Sequence, residues 1–238
     1  YQLFRFLLVF DHFKNVLYFI ENRLENSPSE LDALQELLVN PTVATIPFRT
    51  VGEEQSNGTD EAFLTTIEKG KAHCYRGDVF QIVLSRQFEQ AFQGDDFNVY
   101  RALRSVNPSP YLFYFDYGSF KIMGSSPEAQ LTIQQQKATV FPIAGTFRRT
   151  GNPEEDQKLA SALREDPKEN AEHTMLVDLA RNDLHKQCSN VQVDRYKSIE
   201  FYSHVIHMTS EVSGQLAPDY QPLAVLGATY PAGTLSGA

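Results

Sequence analysis

Cysteine is scarce in this chain, and neither cysteine lies in a metal-binding arrangement. The 238 residues include only Cys74 and Cys188, which are far apart and outside any CxxC or Cys/His spacing. This argues against a disulfide framework and against a zinc site. The reducing cytoplasm is therefore the expected compartment.

Long apolar runs are also missing. No segment approaches the roughly 18 consecutive apolar residues of a membrane span, and no signal peptide is visible. The sequence starts at Tyr1 without an initiator methionine and stops at Ala238. We therefore expect either a fragment or a sequence from which segments have been dropped.

Positive charge is outnumbered by negative charge. The chain has 21 Lys and Arg residues against 30 Asp and Glu residues, and its formal net charge of −9 argues against nucleic acid or an anionic membrane as a partner. A hydrophobic content of 42% with 21% charged residues indicates a globular rather than a disordered chain. The length fits one large domain or two small ones.

One predicted helix, over residues 168–183, places a carboxylate on an apolar stripe. Its start is marked by Asp166-Pro167, an N-cap residue followed by a proline at the first helical position. The side chain of Glu172 shares its face with the apolar residues three, four and seven positions later, Met175, Leu176 and Leu179. A buried carboxylate needs a partner or a metal ion, whereas a partly exposed glutamate near a helix start is the commoner case. Spacing alone leaves both open.

Hydrophobic periodicity and turn residues divide the rest of the chain into further elements. The predicted helices cover residues 27–41, 60–76, 100–106, 152–164 and 223–228. The predicted strands cover two segments within 4–19, then 79–88, 111–115, 120–124, 128–134, 137–142 and 204–212. Residues 46–61 are predicted as a polar loop and 231–238 as a terminal loop. Strands and helices are partly segregated, which favours an α+β fold.

Three polar side chains in or beside predicted strands are candidates for a site. Alternation within 79–88 places Gln81 on one strand face, from which it can line a cavity. Glu128 begins a strand after a Gly-Ser-Ser-Pro loop, where a carboxyl group can face a cleft. His207 points away from the more apolar face of its strand, and histidine suits proton transfer near neutral pH. An exposed or merely hydrogen-bonded side chain is the commoner outcome for each, so spacing does not decide.

Two glycine-containing segments are predicted as turns whose backbone N–H groups can hold an anion. They are Gly145-Thr146 and residues 233–237. Neither is a Walker loop, because no Gly-Lys-Ser/Thr sequence follows. Each signal is weak by itself.

Taken together, the segments resemble the chorismate-utilising enzyme family from about residue 60 onward. The matching segments, in family order, are 77–86, 107–111, 124–128, 142–146, 172–183, 204–207 and 231–238. The resemblance is greatest to the branch of the family that forms anthranilate. It implies the α+β chorismate-binding fold of aminodeoxychorismate synthase and its relatives, with antiparallel sheets packed in a sandwich flanked by helices. It also implies that residues 1–238 form a single but incomplete catalytic domain.

The family reaction implied by the resemblance depends on Mg²⁺ and converts chorismate and ammonia to anthranilate and pyruvate. Glu128 matches the general acid that protonates the leaving hydroxyl group, and Glu172 matches a magnesium ligand. His207 matches the histidine of the pyruvate-eliminating step. The substrate-holding positions are matched by Gln81, Gly145, Thr146 and Thr234. A glutamine amidotransferase subunit is the implied source of ammonia.

Two positions distinguish the related activities of the family. Members that use water as the nucleophile carry a lysine where this chain has Gln81, and members that form 4-amino-4-deoxychorismate carry a nucleophilic lysine where it has Ala144. Direct addition of ammonia is therefore favoured. The alternatives are 4-amino-4-deoxychorismate formation, or a truncated binding module without turnover.

The chain also departs from the family pattern. Phe147 stands where members often have arginine, and the chain stops before the second metal-binding carboxylate and before the residues that grip the enolpyruvyl group. The N-terminal motif for feedback tryptophan is not visible. One segment of that tryptophan pocket is matched, by Pro110, Tyr111 and Leu112.

Overall fold

The computed structural model describes residues 2–24, 27–40 and 46–236. Its helices are α1 (Leu31–Val39), α2 (Asp60–Arg76), α3 (Phe97–Val106), α4 (Pro153–Glu165), α5 (Pro167–His185), α6 (Pro222–Thr229) and α7 (Gly233–Ser236). Its strands are β1 (Phe6–Asp11), β2 (Val16–Glu21), β3 (Arg49–Ser56), β4 (Phe88–Gln93), β5 (Tyr111–Asp116), β6 (Lys121–Ser126), β7 (Thr132–Gln134), β8 (Lys137–Val140), β9 (Ile143–Arg148), β10 (Cys188–Phe201) and β11 (Val205–Leu216).

The chain divides into two compact units, Tyr1–Ile46 and Pro47–Ala238. In the first unit, β1 and β2 form the predicted antiparallel hairpin, and Asp11 accepts hydrogen bonds from two turn amides through its carboxylate. Helix α1 lies within the predicted range 27–41, whose last residue falls outside the described part of the chain. That residues 1–238 form one domain stays a prediction.

A five-stranded antiparallel sheet organises the second unit. Its central strand, β11, pairs with β10 along one edge, while β9 and then β8 pair along the other. Strand β7 continues the sheet beyond β8. Two separate antiparallel pairs, β3 with β4 and β5 with β6, complete the strands described in this unit. The predicted α+β class with antiparallel sheets is confirmed.

Helix α5 packs on this sheet and starts as predicted. The carboxylate of Asp166 accepts hydrogen bonds from the backbone amides of Lys168 and Glu169 at 2.9 and 3.0 Å. The fully packed stripe of the helix lies one residue along from the predicted one, and it contains His173, Val177, Ala180 and Leu184. Glu172 therefore lies beside the core stripe rather than within it.

None of the helices in the described ranges is long and apolar enough to cross a membrane.

The predicted strand over residues 79–88 is wrong. Only its last residue, Phe88, belongs to a strand, and residues 79–87 are without strand pairing. The alternation nevertheless has a physical cause, because Ile82 and Leu84 pack toward Gly70 of helix α2. Packing of alternate side chains against a helix produces the same pattern as a strand with one buried face.

The other wrong or missing strand predictions concern segments whose sequence lacks a strong apolar alternation. Strand β3 lies inside the predicted polar loop 46–61, where backbone pairing with β4 suffices to hold it. Strands β9 and β10 were not predicted at all. The predicted terminal loop 231–238 contains the short helix α7, and its last two residues lie outside the described part.

Candidate functional site

A cavity of about 280 Å³, here called the first cavity, is lined by four of the predicted site residues. They are Gln81, Glu128, Glu172 and Thr234. These side chains come from the 79–87 segment, the β6–β7 connection, α5 and α7, which are far apart in the sequence. The cavity is near the lower end of the roughly 300–1,000 Å³ typical of small-molecule sites. Its size fits a ligand built on a single ring.

Glu172 faces the first cavity and is held by a neighbouring amide. Gln81 Nε2 donates a hydrogen bond to Glu172 Oε1 at 3.2 Å. Leu176 and Leu179 line the cavity with Glu172, as their spacing predicted. Met175, the third residue of the predicted stripe, instead lines a separate groove beside Tyr196.

The same glutamine presents an oxygen without a partner. Gln81 Oε1 is buried and accepts no hydrogen bond from any residue that the structure describes. A buried polar atom without a partner is costly unless a ligand or water satisfies it. The side chain thus orients the Glu172 carboxylate with one end and offers an acceptor with the other.

The Glu128 side chain is exposed, yet protein atoms beside its carboxyl group displace part of the surrounding water. This desolvation raises the pKa of its carboxyl group above the ordinary value. Phe141 and Ile143 contribute apolar surface beside it, while part of the side chain remains open to the cavity. Glu128 therefore keeps its proton to a higher pH than an exposed glutamate, as a general acid must.

Two further polar residues of the cavity lining were missed by the sequence analysis. Gln130 Nε2 donates to the carbonyl oxygen of Thr229 at 2.9 Å, and Asp183 accepts from Lys186 Nζ at 2.7 Å. Both line the cavity. The sequence periodicity could have predicted both residues. Asp183 lies three helical turns after Glu172, and Gln130 is two residues after Glu128 in the predicted strand, so each shares a face with a predicted site residue.

His207, Gly145 and Thr146 form a separate cluster next to the first cavity. His207 is buried, and its Nδ1 lies 3.3 Å from the carbonyl oxygen of Gly145 and 3.1 Å from Thr146 Oγ1. The Gly145 carbonyl oxygen can only accept, so a proton on Nδ1 satisfies this contact and leaves Nε2 as an acceptor, while the Thr146 hydroxyl can accept from Nδ1 or donate to it. None of the three residues lines the first cavity.

Gly145 lies at a β-bulge rather than in the predicted turn. Thr146 pairs with His207 and Ala144 pairs with Met208, which leaves Gly145 as the extra residue of β9. Its φ angle of +72° is in the left-handed region. A Cβ atom here would lie 2.7 Å from Cδ1 of the buried Leu163. Glycine is therefore required both by conformation and by space.

We expect Gly145→Ala to destabilise the protein by about 2–6 kcal/mol, because the positive φ and the overpacking each cost about 1–3 kcal/mol. Gly151→Ala is the matched control. Gly151 has a φ of +84° but open space around the added atom. Urea unfolding of both variants separates the two costs, and equal losses of stability would contradict the steric argument.

A second cavity, of about 200 Å³, lies on another side of Glu128. Glu128, Phe141 and Ile143 line both cavities. Of the three residues predicted for a tryptophan pocket, Pro110 and Tyr111 line the second cavity. Leu112 is in β5 but is not part of that lining.

The site offers only part of a metal-binding set. No group of three or more His, Cys, Asp or Glu residues suited to a metal ion occurs within residues 2–24, 27–40 and 46–236. The Glu172 carboxylate and the unpartnered Gln81 Oε1 are nevertheless hard oxygen donors at one cavity. Magnesium is commonly held by one or two carboxylates, with substrate and water as the other ligands. These donors fit such an ion.

Comparison with known proteins gives a consistent picture. The family model described as chorismate binding enzyme matches residues 1–238. "Anthranilate synthase component 1" of Aquifex aeolicus is 47% identical over 186 residues, which make up 77% of this chain and 38% of the relative. The protein of the same name from Lactococcus lactis is 38% identical over 250 aligned positions, covering all of this chain and 54% of the relative.

A solved structure agrees with these relatives. The crystal structure of anthranilate synthase component I from Streptococcus pneumoniae superposes with a TM-score of 0.80 at 36% identity. The match covers 97% of this chain and 53% of that one. The chain thus spans about half the length of the solved relative.

Proposed function

The chain belongs to the chorismate-binding enzyme family, and we propose that it is part of an anthranilate synthase component 1, which converts chorismate and ammonia to anthranilate and pyruvate. The observation that carries the proposal is the first cavity. It places a desolvated carboxyl group, Glu128, in one ligand-sized space with Glu172 and Gln81. An acid for a poor leaving group and a carboxylate for a cation are what the first step requires.

We assign the role of general acid to Glu128. Hydroxide is a poor leaving group, so the hydroxyl at C4 of chorismate must be protonated as its C–O bond breaks. The raised pKa keeps a proton available on Glu128 at a pH where an exposed glutamate is ionised. The hydroxyl then leaves as water while ammonia adds at C2.

Ammonia is the nucleophile that the cavity favours. Gln81 cannot act as a base for water, because its amide does not ionise near neutral pH. Ala144 is buried in β9 and has no nucleophilic atom, which removes the covalent route through a lysine. The residues at both positions therefore support direct amination by ammonia.

Glu172 would hold Mg²⁺, with Gln81 beside it. When bound, the ion would neutralise the ring carboxylate of chorismate and stabilise negative charge that shifts into the ring. The hydrogen bond from Gln81 Nε2 fixes the orientation of the Glu172 carboxylate. Thr234, buried at the same cavity, would contribute to holding the substrate.

His207 is assigned to the second step, the loss of pyruvate with formation of the aromatic ring. Its contact with the Gly145 carbonyl leaves Nε2 as a proton acceptor. The imidazole lies beside Gly145 and Thr146, the predicted substrate-holding residues, rather than in the lining of the first cavity. This nitrogen would remove the ring proton as the enolpyruvyl ether C–O bond breaks, and the enolpyruvate that leaves would gain a proton to become pyruvate.

Further partners follow from the same proposal. The relatives are named as component 1, which supports a second subunit, a glutamine amidotransferase that supplies ammonia. Feedback tryptophan is proposed to contact Pro110 and Tyr111, which line the second cavity. We also propose that the reaction takes place in the cytoplasm.

The deciding experiment incubates the protein with chorismate, MgCl₂ and ammonium sulfate at pH 8 and follows anthranilate fluorescence and pyruvate. We expect both products in equal amounts. A product aminated at C4, formed without pyruvate, would instead establish 4-amino-4-deoxychorismate synthesis. Chorismate that binds in calorimetry but is not consumed would establish a non-catalytic binding module.

A further inference from the structure

His207 lies in β11 between polar side chains of the two neighbouring strands. Its cross-strand partner in β9 is Thr146, whose hydroxyl oxygen lies 3.1 Å from His207 Nδ1. Its cross-strand partner in β10 is Glu200. The Cβ atoms of such partners are about 4.5–5.5 Å apart on one face of a sheet. Strand pairing therefore places the Glu200 carboxylate on the same face as the imidazole.

Contacts on two sides hold the Glu200 carboxylate. Its Oε2 accepts a hydrogen bond from the Tyr202 hydroxyl at 3.0 Å, and its Oε1 pairs with Arg195 at 2.7 Å. Arg195 also pairs with Glu211 at 2.8 Å, so one guanidinium group serves two carboxylates. The three ionised groups together leave one net negative charge beside the imidazole.

Tyr202 connects Glu200 to the imidazole. Its ring packs edge-on against that of His207, with the ring centres 5.2 Å apart. Its backbone is fixed as well, since its amide donates to the carbonyl oxygen of Val205 at 2.9 Å and its own carbonyl oxygen accepts from Arg149 at 2.8 Å. Burial, followed by the hydrogen bond to Glu200, raises the pKa of Tyr202 to about 12. The hydroxyl therefore keeps its proton and remains a donor to the carboxylate near neutral pH.

The proposed second step creates a positive charge on His207. Nε2 takes the proton from C2 of the aminated ring, the electron pair of that C–H bond becomes the new ring double bond, and the enolpyruvyl ether C–O bond breaks. The enolpyruvate that leaves gains a proton on its methylene carbon and becomes pyruvate. The proton lost by the ring is matched by the one that pyruvate gains, so the step needs no oxidant or reductant. Between the two proton transfers the imidazole is an imidazolium, which a nearby carboxylate stabilises.

We propose that Glu200 is a positioning residue for His207 and favours the imidazolium that forms during pyruvate elimination. The inference rests on the proposed function, because it requires His207 to take the ring proton. The hydrogen-bond and ion-pair partners of Glu200 are other groups than the imidazole. Glu200 therefore acts through its charge and through the Tyr202 ring that it holds against His207. Its effect belongs to the second step, since amination places no charge on the imidazole.

The test compares Glu200→Gln with Glu211→Gln. Both substitutions remove one carboxylate that pairs with Arg195 and lines the second cavity. Glu211, however, lies four residues after His207 in β11, about 13 Å further along the strand. Glu211→Gln therefore controls for loss of an ion pair and for the change in net charge.

Two assays separate the steps of the reaction. With the protein in excess over chorismate, and with MgCl₂ and ammonium sulfate present, the rate of chorismate loss measures amination. The purified C2-aminated intermediate, supplied in place of chorismate, measures pyruvate elimination.

We expect Glu200→Gln to slow elimination about tenfold, because an opposite charge about 4–6 Å away favours a charged group by about tenfold or more. Amination should keep the wild-type rate. Glu211→Gln should stay within about twofold of the wild type in both assays, because exposed charges more than about 10 Å apart are largely screened. Glu200→Asp restores the charge on a shorter side chain and should recover most of the elimination rate.

The positioning role is overturned if the wild type forms anthranilate and Glu200→Gln eliminates pyruvate at the wild-type rate. Equal slowing of both assays in Glu200→Gln and Glu200→Asp would also overturn it, because a general disturbance of the fold would then explain the loss. A wild type that forms anthranilate from neither chorismate nor the intermediate would instead overturn the proposed function. The two failures are therefore distinguishable.

Discussion

Glu128→Gln is expected to lower kcat by about 10²–10⁴-fold, the range that a positioned general acid contributes. The amide keeps the shape of the side chain but cannot release a proton to the C4 hydroxyl. The binding groups of the first cavity, Glu172 and Gln81, remain in place, so chorismate should still bind. Stopped-flow or steady-state fluorescence gives kcat, and calorimetry gives the Kd.

The same substitution should make the protein more stable near neutral pH. Because partial desolvation of the carboxyl group raises the folded-state pKa of Glu128, the folded state retains this proton at a pH where the unfolded chain has lost it. Stability from this group is fully present below the unfolded pKa and is lost as pH rises through the folded pKa. Urea unfolding at pH 8 should therefore favour Glu128→Gln over the wild type, and the difference should shrink below about pH 4.

Glu54→Gln, at an exposed glutamate of β3, is the control for both measurements. It should change neither kcat nor the pH dependence of stability. An active Glu128→Gln enzyme would remove Glu128 from the role of acid. A variant less stable than the wild type at pH 8 would contradict the partial desolvation of the Glu128 carboxyl group.

Helix boundaries were predictable because their signals are local. Thr59 caps α2 by accepting from the amide of Ala62, and Gly77 ends the helix in a left-handed conformation. Asp166 starts α5 in the same way. Each of these signals depends on a few neighbouring residues, so sequence alone places the ends of both helices to within about two residues.

Strand pairing was harder to predict because it depends on partners that are distant in the sequence. The alternation in residues 79–88 correctly separated Gln81 from Ile82 and Leu84, yet it did not indicate that the apolar pair packs on α2. Strand β9 was hidden for a related reason. Gly145 looks like a turn residue, whereas its positive φ serves a bulge opposite β11.

The candidate site was predicted mainly through the family resemblance. Spacing left Gln81, Glu128 and Glu172 as separate possibilities, and only the fold places them at one cavity. Gln130 and Asp183 followed the periodicity of their elements and were overlooked. For the second cavity, the resemblance supplied Pro110 and Tyr111 but not Tyr202, since Tyr111 lies in β5 whereas Tyr202 lies in the β10–β11 connection.

Glu172→Gln tests the proposed magnesium site and is expected to abolish magnesium-supported turnover. The glutamine can still accept the hydrogen bond from Gln81 Nε2 through its own oxygen, so the local geometry should survive. What the variant loses is the negative charge, which a hard divalent cation requires more than shape. We expect the Kd for Mg²⁺ to weaken by about 100-fold or more.

Unfolding provides a readout that does not depend on activity. A ligand present at 100 times its Kd stabilises the folded state by about 2.7 kcal/mol, so Mg²⁺ should raise the urea midpoint of the wild type with chorismate present. It should not do so for Glu172→Gln. Asp178→Asn, on the exposed side of the same helix and paired with Arg181, is the matched control and should behave as the wild type.

Two measurements together would contradict the assignment of Glu172 as a magnesium ligand. If Glu172→Gln shows wild-type turnover across a magnesium titration and the same magnesium-dependent shift of the urea midpoint, Glu172 does not hold the ion. The hydrogen bond from Gln81 would then have another purpose, to keep a carboxylate oriented toward the ammonium nitrogen or the substrate. Loss of the midpoint shift in Glu172→Gln alone, with Asp178→Asn unaffected, would locate the cation at Glu172.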